Sequence, residues 1–169
     1  MGRASTKTAK SIYQVSREKC NLTREEAADL LEIVSKERLE RIESGKNPAY
    51  PEEVLRMAEA YKDATLCNQH CAKMCQIGEK YVPPVAMKDL SQIVLEILAF
   101  SNDIERQKDR LVDITVDGKI SDAELRDFVY IQKQLEKVSV AVETLQLWSQ
   151  AMLLSGKIDE EAYQKLMEQ

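Results

Sequence analysis

Apolar residues recur at seven-residue intervals between positions 122 and 154, and no other feature limits the fold of this chain as strongly. Two interleaved series are present: Phe128, Leu135 and Val142 form one, and Ile131, Val138, Leu145 and Met152 form the other. Such series occupy the a and d positions of a heptad and place an apolar seam along one side of a helix. The pattern therefore predicts a long helix of the coiled-coil type.

A second segment, residues 87–113, carries the same repeat in Leu90, Ile97, Ile104 and Leu111. The loop between the two segments is short, which predicts that their helices lie antiparallel as a hairpin. A short third helix is expected between this hairpin and residue 169. The seam of the 122–154 helix is wider than one short partner helix would cover, so we expect a homodimer through residues 87–154.

The composition predicts an all-α fold class. The chain has 169 residues with only five Gly and four Pro, and it is rich in Ala, Leu, Glu and Lys, which lose little conformational freedom in a helix. No stretch approaches the ~20 apolar residues of a membrane span. The N-terminus carries no secretory signal, so the four cysteines are expected to be reduced in a cytoplasmic protein.

The formal charge of −5 is unevenly distributed along the chain. Residues 1–66 contain twelve Lys and Arg against twelve Asp and Glu, and residues 67–169 contain twelve against seventeen. A nucleic-acid-binding region ordinarily carries a basic excess. Charge alone therefore gives only weak support to binding of nucleic acid by the N-terminal half.

The N-terminal half shows the start and stop signals of four short helices. Thr23 and Glu26 have the spacing of a capping box, Ser35 is an N-cap, and Pro51 lies in the first turn of a helix. Gly45 is a helix terminator. The apolar positions of the second and fourth helices predict these buried residues: Ala27, Leu30, Leu31, Val54, Leu55, Ala58 and Tyr61.

Changes in composition divide the chain into four parts. Residues 1–10 form a basic flexible arm, and residues 11–80 form a domain of four to five helices whose last helix is rich in cysteine. Residues 81–86 contain two adjacent prolines and form a stiff connector. Residues 87–169 form the helical hairpin with its short third helix.

Residues 11–62 resemble the helix-turn-helix domain of the Cro/phage-repressor (XRE) family. The resemblance is carried by Arg17, the stretch Leu22-Thr23-Arg24-Glu25-Glu26, Ala28, Ser35, the stretch Arg41-Ile42-Glu43-Ser44-Gly45-Lys46 and Asn47-Pro48. The turn departs from the family pattern, which usually has Gly four residues after the alanine. Here that position is Glu32, and one extra residue precedes Ser35.

The resemblance implies a sequence-specific DNA-binding transcriptional regulator with a recognition helix at about residues 36–44 and double-stranded DNA as its partner. The heptad pattern predicts that this regulator is dimeric. The base contacts carried over from the family fall on Ser35, Lys36, Glu37 and Arg41. The phosphate contacts fall on Thr23, Arg24, Ser44 and Lys46. The resemblance also implies a structural ion pair between Arg17 and Glu43.

The predicted recognition helix carries carboxylates on the side expected to face DNA. A helical wheel places Glu37 and Glu40 with Arg41 and Ser44 opposite Leu39 and Ile42. A glutamate can accept a hydrogen bond from cytosine, but it repels phosphates. The alternative is therefore a protein-interaction module that keeps the helix-turn-helix fold without binding DNA.

Cys67, Cys71 and Cys75 are spaced four residues apart, with His70 among them. Thiolate and imidazole are zinc ligands, and three thiolates are also compatible with an iron–sulfur cluster. All three cysteines can reach one ion only if the helix breaks between Cys71 and Cys75. The alternative is that they are small buried apolar residues, as expected also for Cys20.

Residues 113–124 follow the spacing of an EF-hand loop, with Gly118 at its sixth and Glu124 at its twelfth position. The third position is Thr115, a poor calcium ligand. A capping box formed by Ser121 and Glu124 explains the same residues, so calcium binding is not expected.

No catalytic constellation is visible in the sequence. There is one histidine, no Gly-rich phosphate loop, and no Ser or Cys nucleophile with a recognisable base. We therefore expect a protein that is not an enzyme.

Overall fold

The structure is a computed structural model that describes residues 10–168, and this part consists of helices, turns and loops without a strand. The all-α prediction is confirmed. Apart from Lys10, the predicted basic arm lies outside the described residues. The helices of the described part are α1 (Ile12–Lys19), α2 (Arg24–Leu31), α3 (Lys36–Glu43), α4 (Pro51–Ala60), α5 (Thr65–Met74), α6 (Gln76–Tyr81), α7 (Leu90–Thr115), α8 (Leu125–Leu154) and α9 (Glu160–Met167).

The chain divides into two compact units. The first comprises the residues up to Pro84 together with those from Gln150 onward, and the second is Val85–Ser149. Among residues 10–168, no helix has both the length and the apolar character needed to cross a membrane.

The first three helices begin at hydroxyl side chains that cap them. The Ser11 hydroxyl accepts a hydrogen bond from the amide of Gln14 at 3.2 Å, and Ser35 caps α3 in the same way. At α2, Thr23 accepts from the Glu26 amide at 3.2 Å while the Glu26 carboxylate accepts from the Thr23 amide at 2.7 Å. Each cap satisfies amide groups that have no partner inside the helix.

The core of the first unit is formed by helices α1 to α5. Its fully buried centre includes Val34, Leu39, Ile42, Met57 and Leu66. Each helix has only two or three turns, so the buried stripe on each is narrow. The apolar area that these stripes remove from water stabilises the unit by about 25 cal/mol per Å².

Three residues predicted to be buried are exposed. Leu30 and Leu55 are 52% and 56% exposed, because Leu31 and Val54 beside them occupy the narrow buried stripes of α2 and α4. Cys20 is also exposed. It lies at the C-cap of α1, where the chain turns through Asn21 with φ 57°, and its thiol donates to the Tyr61 carbonyl at 3.1 Å.

The turn between α2 and α3 has Glu32 in a conformation that L-residues rarely adopt. Its φ is 59°, and the Ile33 amide donates to the Leu31 carbonyl across it at 2.6 Å. A three-residue turn with positive φ at its centre is strained for any residue with a Cβ. Glycine, which has no Cβ, would adopt this conformation without the strain.

The second unit contains α7 and most of α8, which run antiparallel. Arg110 lies 2.7 Å from Asp127, and ten residues earlier on α7 the Phe100 ring lies 5.8 Å from the Lys137 Nζ. Contacts that descend one helix while ascending the other require an antiparallel pair, so the predicted hairpin is confirmed. Residues 122–124, predicted to begin the second long helix, form a turn instead.

The two heptad series have different environments. Ile131 is 2% exposed, and Val138 and Leu145 of the same series are half-buried. Leu135 and Val142 of the other series are 46% and 40% exposed. Gln134, Ala141 and Thr144, which belong to neither series, are buried, so the buried side of α8 is rotated away from part of the predicted seam.

Candidate nucleic-acid interface

One buried carboxylate joins the first three helices. Glu43, whose side chain has no exposed surface, accepts hydrogen bonds from Arg17 Nε at 2.6 Å and Arg17 Nη2 at 3.0 Å. It also accepts from Arg24 Nε at 2.7 Å. Arg17 donates in addition to the Leu22 carbonyl. The residues of the ion pair implied by the resemblance are thus brought together, and Arg24 joins them.

Glu43 holds one side of α3 against α1 and α2, so the other side of α3 is exposed to solvent. Leu39, Ile42 and Glu43 are buried at 2% exposure or less. Lys36, Glu37, Glu40 and Arg41 are exposed, and Ser44 is half-buried at the C-cap. The structure therefore places four of the predicted contact residues, Glu37 among them, on or beside this exposed side of α3, together with the carboxylate of Glu40.

The N-terminal turn of α3 is occupied by groups of the chain itself. Ser35 accepts from the Arg38 amide at 3.2 Å. The Glu37 carboxylate accepts from its own amide and from the Ser35 hydroxyl, which lowers the pKa of Glu37 below its usual 4.5. Glu37 is therefore ionised at neutral pH, and it competes with any phosphate for this helix terminus.

The cations of this surface fall into two groups. Lys36 is paired with Glu25 at 2.9 Å, with both side chains exposed. Arg41 and Lys46 are exposed, and neither forms an ion pair with any residue between 10 and 168. Lys46 follows the terminator Gly45, which has φ 72°, and its amide donates to the Arg41 carbonyl at 2.9 Å. The backbone at the end of α3 therefore holds the Cα positions of these two residues close together.

The remaining predicted phosphate contacts, Thr23, Arg24 and Ser44, differ in the hydrogen-bonding capacity that they keep. The Thr23 oxygen accepts the capping bond from the Glu26 amide, and hydrogen bonds from the amide and the hydroxyl of Thr23 lower the pKa of the Glu26 carboxylate. Arg24 uses Nε for Glu43 and is 35% exposed, so its terminal nitrogens reach solvent. The Ser44 hydroxyl donates to the Arg41 carbonyl at 3.1 Å. It can still accept a hydrogen bond, but a phosphate oxygen needs a donor.

A second arginine–glutamate pair, which the sequence did not predict, joins α3 to α4. Arg38 donates to both carboxylate oxygens of Glu53, at 2.7 and 2.8 Å, and to the Pro48 carbonyl at 2.9 Å. Burial acts to raise the pKa of Glu53, but the hydrogen bonds from Arg38 and the Tyr50 amide outweigh it and the pKa is lowered. No local signal identifies this pair, because the turn between α3 and α4 decides which residues meet.

The cysteine-rich segment is split at Cys75, which is extended and separates α5 from α6. His70 is buried, and its Nδ1 lies 2.8 Å from the Tyr13 hydroxyl. Burial raises the pKa of Cys67. Within residues 10–168, no three His, Cys, Asp or Glu side chains are grouped closely enough to hold a metal ion. Binding of zinc or an iron–sulfur cluster stays a prediction, which metal analysis of anaerobically purified protein tests.

The loop with EF-hand spacing is closed by its own hydrogen bonds. The Ser121 amide and hydroxyl donate to the Glu124 carboxylate at 3.0 and 2.6 Å, and Asp117 accepts from the Lys119 amide at 2.9 Å. The two bonds from the hydroxyl and the amide of Ser121 lower the pKa of Glu124. Thr115 donates its hydroxyl to the Val112 carbonyl.

Comparison with known proteins identifies the N-terminal segment. Residues 14–62 match the model of a helix-turn-helix domain family. No curated protein and no solved structure matches the chain. The matched residues run from within α1 to just past α4 and include the whole exposed side of α3 described above. Domains of this kind are typical of DNA-binding regulators. Residues 14–62 form a helix-turn-helix domain, in agreement with the family resemblance of the sequence.

Proposed function

We propose that the protein is a sequence-specific transcriptional regulator that places α3 in the major groove of duplex DNA. The observation that carries this proposal is the two-sided construction of α3. Glu43 fixes its inner side to α1 and α2, and its outer side presents Arg41 without a carboxylate partner among the described residues. A guanidinium held on a rigid helix can donate two hydrogen bonds to guanine.

The other base contacts follow from the same side of the helix. Lys36 can exchange its exposed partner Glu25 for a base at little cost, because exposed ion pairs contribute little to stability. Glu37 is ionised and accepts only, so cytosine is the base it can recognise. Ser35 lies at the N-cap beside both residues.

Phosphate contacts flank this surface. Lys46 and the terminal nitrogens of Arg24 supply positive charge, and the Thr23 hydroxyl can supply a donor by exchanging the Glu26 carboxylate for a phosphate oxygen. These contacts position the domain without selecting sequence. Because Glu37 and Glu40 oppose phosphates, the affinity for duplex DNA depends strongly on these few cations and decreases as the salt concentration rises.

We further propose that two copies pair through the hairpin. Four apolar residues each follow directly after a residue that faces the hairpin seam or lies beside it: Val94 and Leu98 on α7, and Leu135 and Val142 on α8. Because the two helices are antiparallel, the next residue on each points to the same side of the pair. Each is at least 40% exposed. Ser101 and Ser139 near them are uncharged. A neutral apolar surface does not repel its own copy, and a two-fold axis lets it cover itself.

Light scattering should give twice the chain mass of 19.3 kDa, whereas a monomer at micromolar concentration contradicts the proposed pairing.

The specificity is tested by selecting duplexes from a random pool with the wild-type protein. Arg41→Ala should lower affinity for the selected duplex by about 1–3 kcal/mol and relax preference at one base pair. The matched control is Arg56→Ala, which removes an exposed arginine of α4 paired only weakly with Glu59 at 3.5 Å. Equal effects of the two substitutions would overturn the assignment of α3 as the recognition helix.

A protein-interaction module is the second candidate. It is favoured by three exposed apolar side chains of the first unit, Leu30, Ile33 and Leu55, which are 52–56% exposed. Leu30 lines an open groove of about 270 Å³ that Arg56 and Glu59 border. Exposed apolar surface with a polar rim is typical of protein contacts. This candidate replaces the first if the intact dimer binds no duplex at low salt.

A further inference from the structure

The second unit contains an open groove on the hairpin with a volume of about 620 Å³. Phe100 of α7 and Val140 and Ala141 of α8 form its apolar floor, and Lys88, Lys133 and Lys137 line its edge. Sites for small organic ligands commonly have volumes of about 300–1,000 Å³ and combine an apolar lining with a few polar groups. This groove has both properties.

The lysines of the groove differ in their partners. Lys88 donates to both oxygens of Glu96, at 2.8 and 2.7 Å, so its charge is neutralised. Lys137 donates to the Gln134 amide oxygen at 3.2 Å and lies over the Phe100 ring. Lys133 and Lys137 form no ion pair with any residue in the described part of the chain. Two cations one helical turn apart repel one another by a few tenths of a kcal/mol.

The positive charge of the groove contrasts with its surroundings. Residues 85–149 contain eight Lys and Arg against twelve Asp and Glu. In the groove itself, three lysines face two carboxylates, Glu96 and the exposed Glu136. An anion placed between Lys133 and Lys137 would compensate the unpaired charges, and a hydrocarbon group extending from it would cover the apolar floor.

We propose that this groove binds a small amphiphilic carboxylate. The carboxylate lies between the Nζ atoms of Lys133 and Lys137, and its apolar part packs on Phe100, Val140 and Ala141. Hydrogen bonds between ions are stronger than those between neutral groups, so the acid binds more tightly than an uncharged molecule of the same length. A ligand in this position touches both α7 and α8 and stabilises the hairpin by mass action. The site does not depend on DNA binding.

The test compares octanoate with 1-octanol, which has the same chain length without the charge. Titration calorimetry measures the affinity of each for the full-length protein, and methyl resonances of Val140 and Ala141 report the location. Octanoate should bind saturably, at least about tenfold more tightly than 1-octanol, and should shift both resonances. Equal affinity of the two compounds, or unshifted methyl resonances, would overturn the proposal.

Charge reversal locates the carboxylate. The double substitution Lys133→Glu with Lys137→Glu should weaken octanoate at least about tenfold and leave 1-octanol unchanged. Lys119→Glu, in the loop after α7, makes the same kind of charge change away from the groove and should leave both affinities unchanged. If the double variant instead becomes monomeric where the wild type is dimeric, a second copy covers the groove and the ligand proposal is wrong.

Discussion

Arg24, the first residue of α2, donates its Nε–H to the carboxylate of Glu43, the last residue of α3, at 2.7 Å. The same carboxylate receives two hydrogen bonds from Arg17 of α1. The ends of three helices are therefore fixed by one buried group. The orientation of Arg24 on the surface of the domain therefore depends on Glu43.

Replacing Glu43 by alanine should destabilise the protein strongly. The substitution leaves the buried Arg17 guanidinium without its partner, and breaking a buried ion pair from one side costs roughly 3–5 kcal/mol. Urea denaturation measures the change. Glu25→Ala, which removes the partner of Lys36 in an exposed pair, should change the free energy of unfolding very little. A similarly small change for Glu43→Ala would contradict the central role of this carboxylate.

Glu32→Gly should stabilise the protein by about 1 kcal/mol, because glycine adopts the positive φ of 59° without the steric penalty of a Cβ. Glu32→Ala is the matched control, since it removes the same charge but keeps the Cβ. Thermal unfolding should rank the glycine variant above the alanine variant. If the two have the same Tm, the turn is not strained.

Gly78→Ala should destabilise the packing of α6 on α5. A Cβ at this position would lie 2.0 Å from the Cys71 carbonyl oxygen, so backbone must move, and overpacking of this kind costs about 1–3 kcal/mol. Gly45→Ala has open space around the new Cβ and suffers only the cost of its positive φ. Denaturant titration distinguishes the two substitutions, and a neutral Gly78→Ala would show that α6 can shift freely.

Stability should decrease in mildly acidic solution because of His70. Burial lowers the pKa of His70 below its usual 6.5, so the unfolded chain takes up a proton near pH 6.5 while the folded chain stays neutral. The contribution of neutral His70 to the free energy of unfolding is fully present above pH 6.5, and it is lost as the pH decreases toward the pKa of His70 in the folded protein. This is the chain's one histidine. The substitution His70→Asn, which supplies a non-titrating hydrogen-bond partner for Tyr13, should therefore flatten the dependence of Tm on pH between about pH 5.5 and 7. An unchanged profile would exclude His70 as the cause.

Features that depend on residues close together in the sequence were predicted more reliably than contacts between helices. The Thr23 and Glu26 capping box depends on residues three apart, and the structure contains it. Burial of Leu31 rather than Leu30 depends on which side of α2 meets its neighbours. The pairing of Arg38 with Glu53 depends on the turn between α3 and α4. The heptad pattern identified the hairpin, but the rotation of α8 decides that Ile131 is buried while Leu135 is exposed.

The proposed regulator function is tested most directly by measuring the affinity of the wild-type protein for duplex DNA between about 50 and 200 mM salt. Phosphate contacts release counterions, so the logarithm of the affinity should decrease linearly with the logarithm of the salt concentration. Lys46→Ala should reduce this slope by about one for each bound domain, because Lys46 has no ion-pair partner in the described part of the chain. Absence of duplex binding at the lowest salt, with the dimer mass intact, would contradict the account.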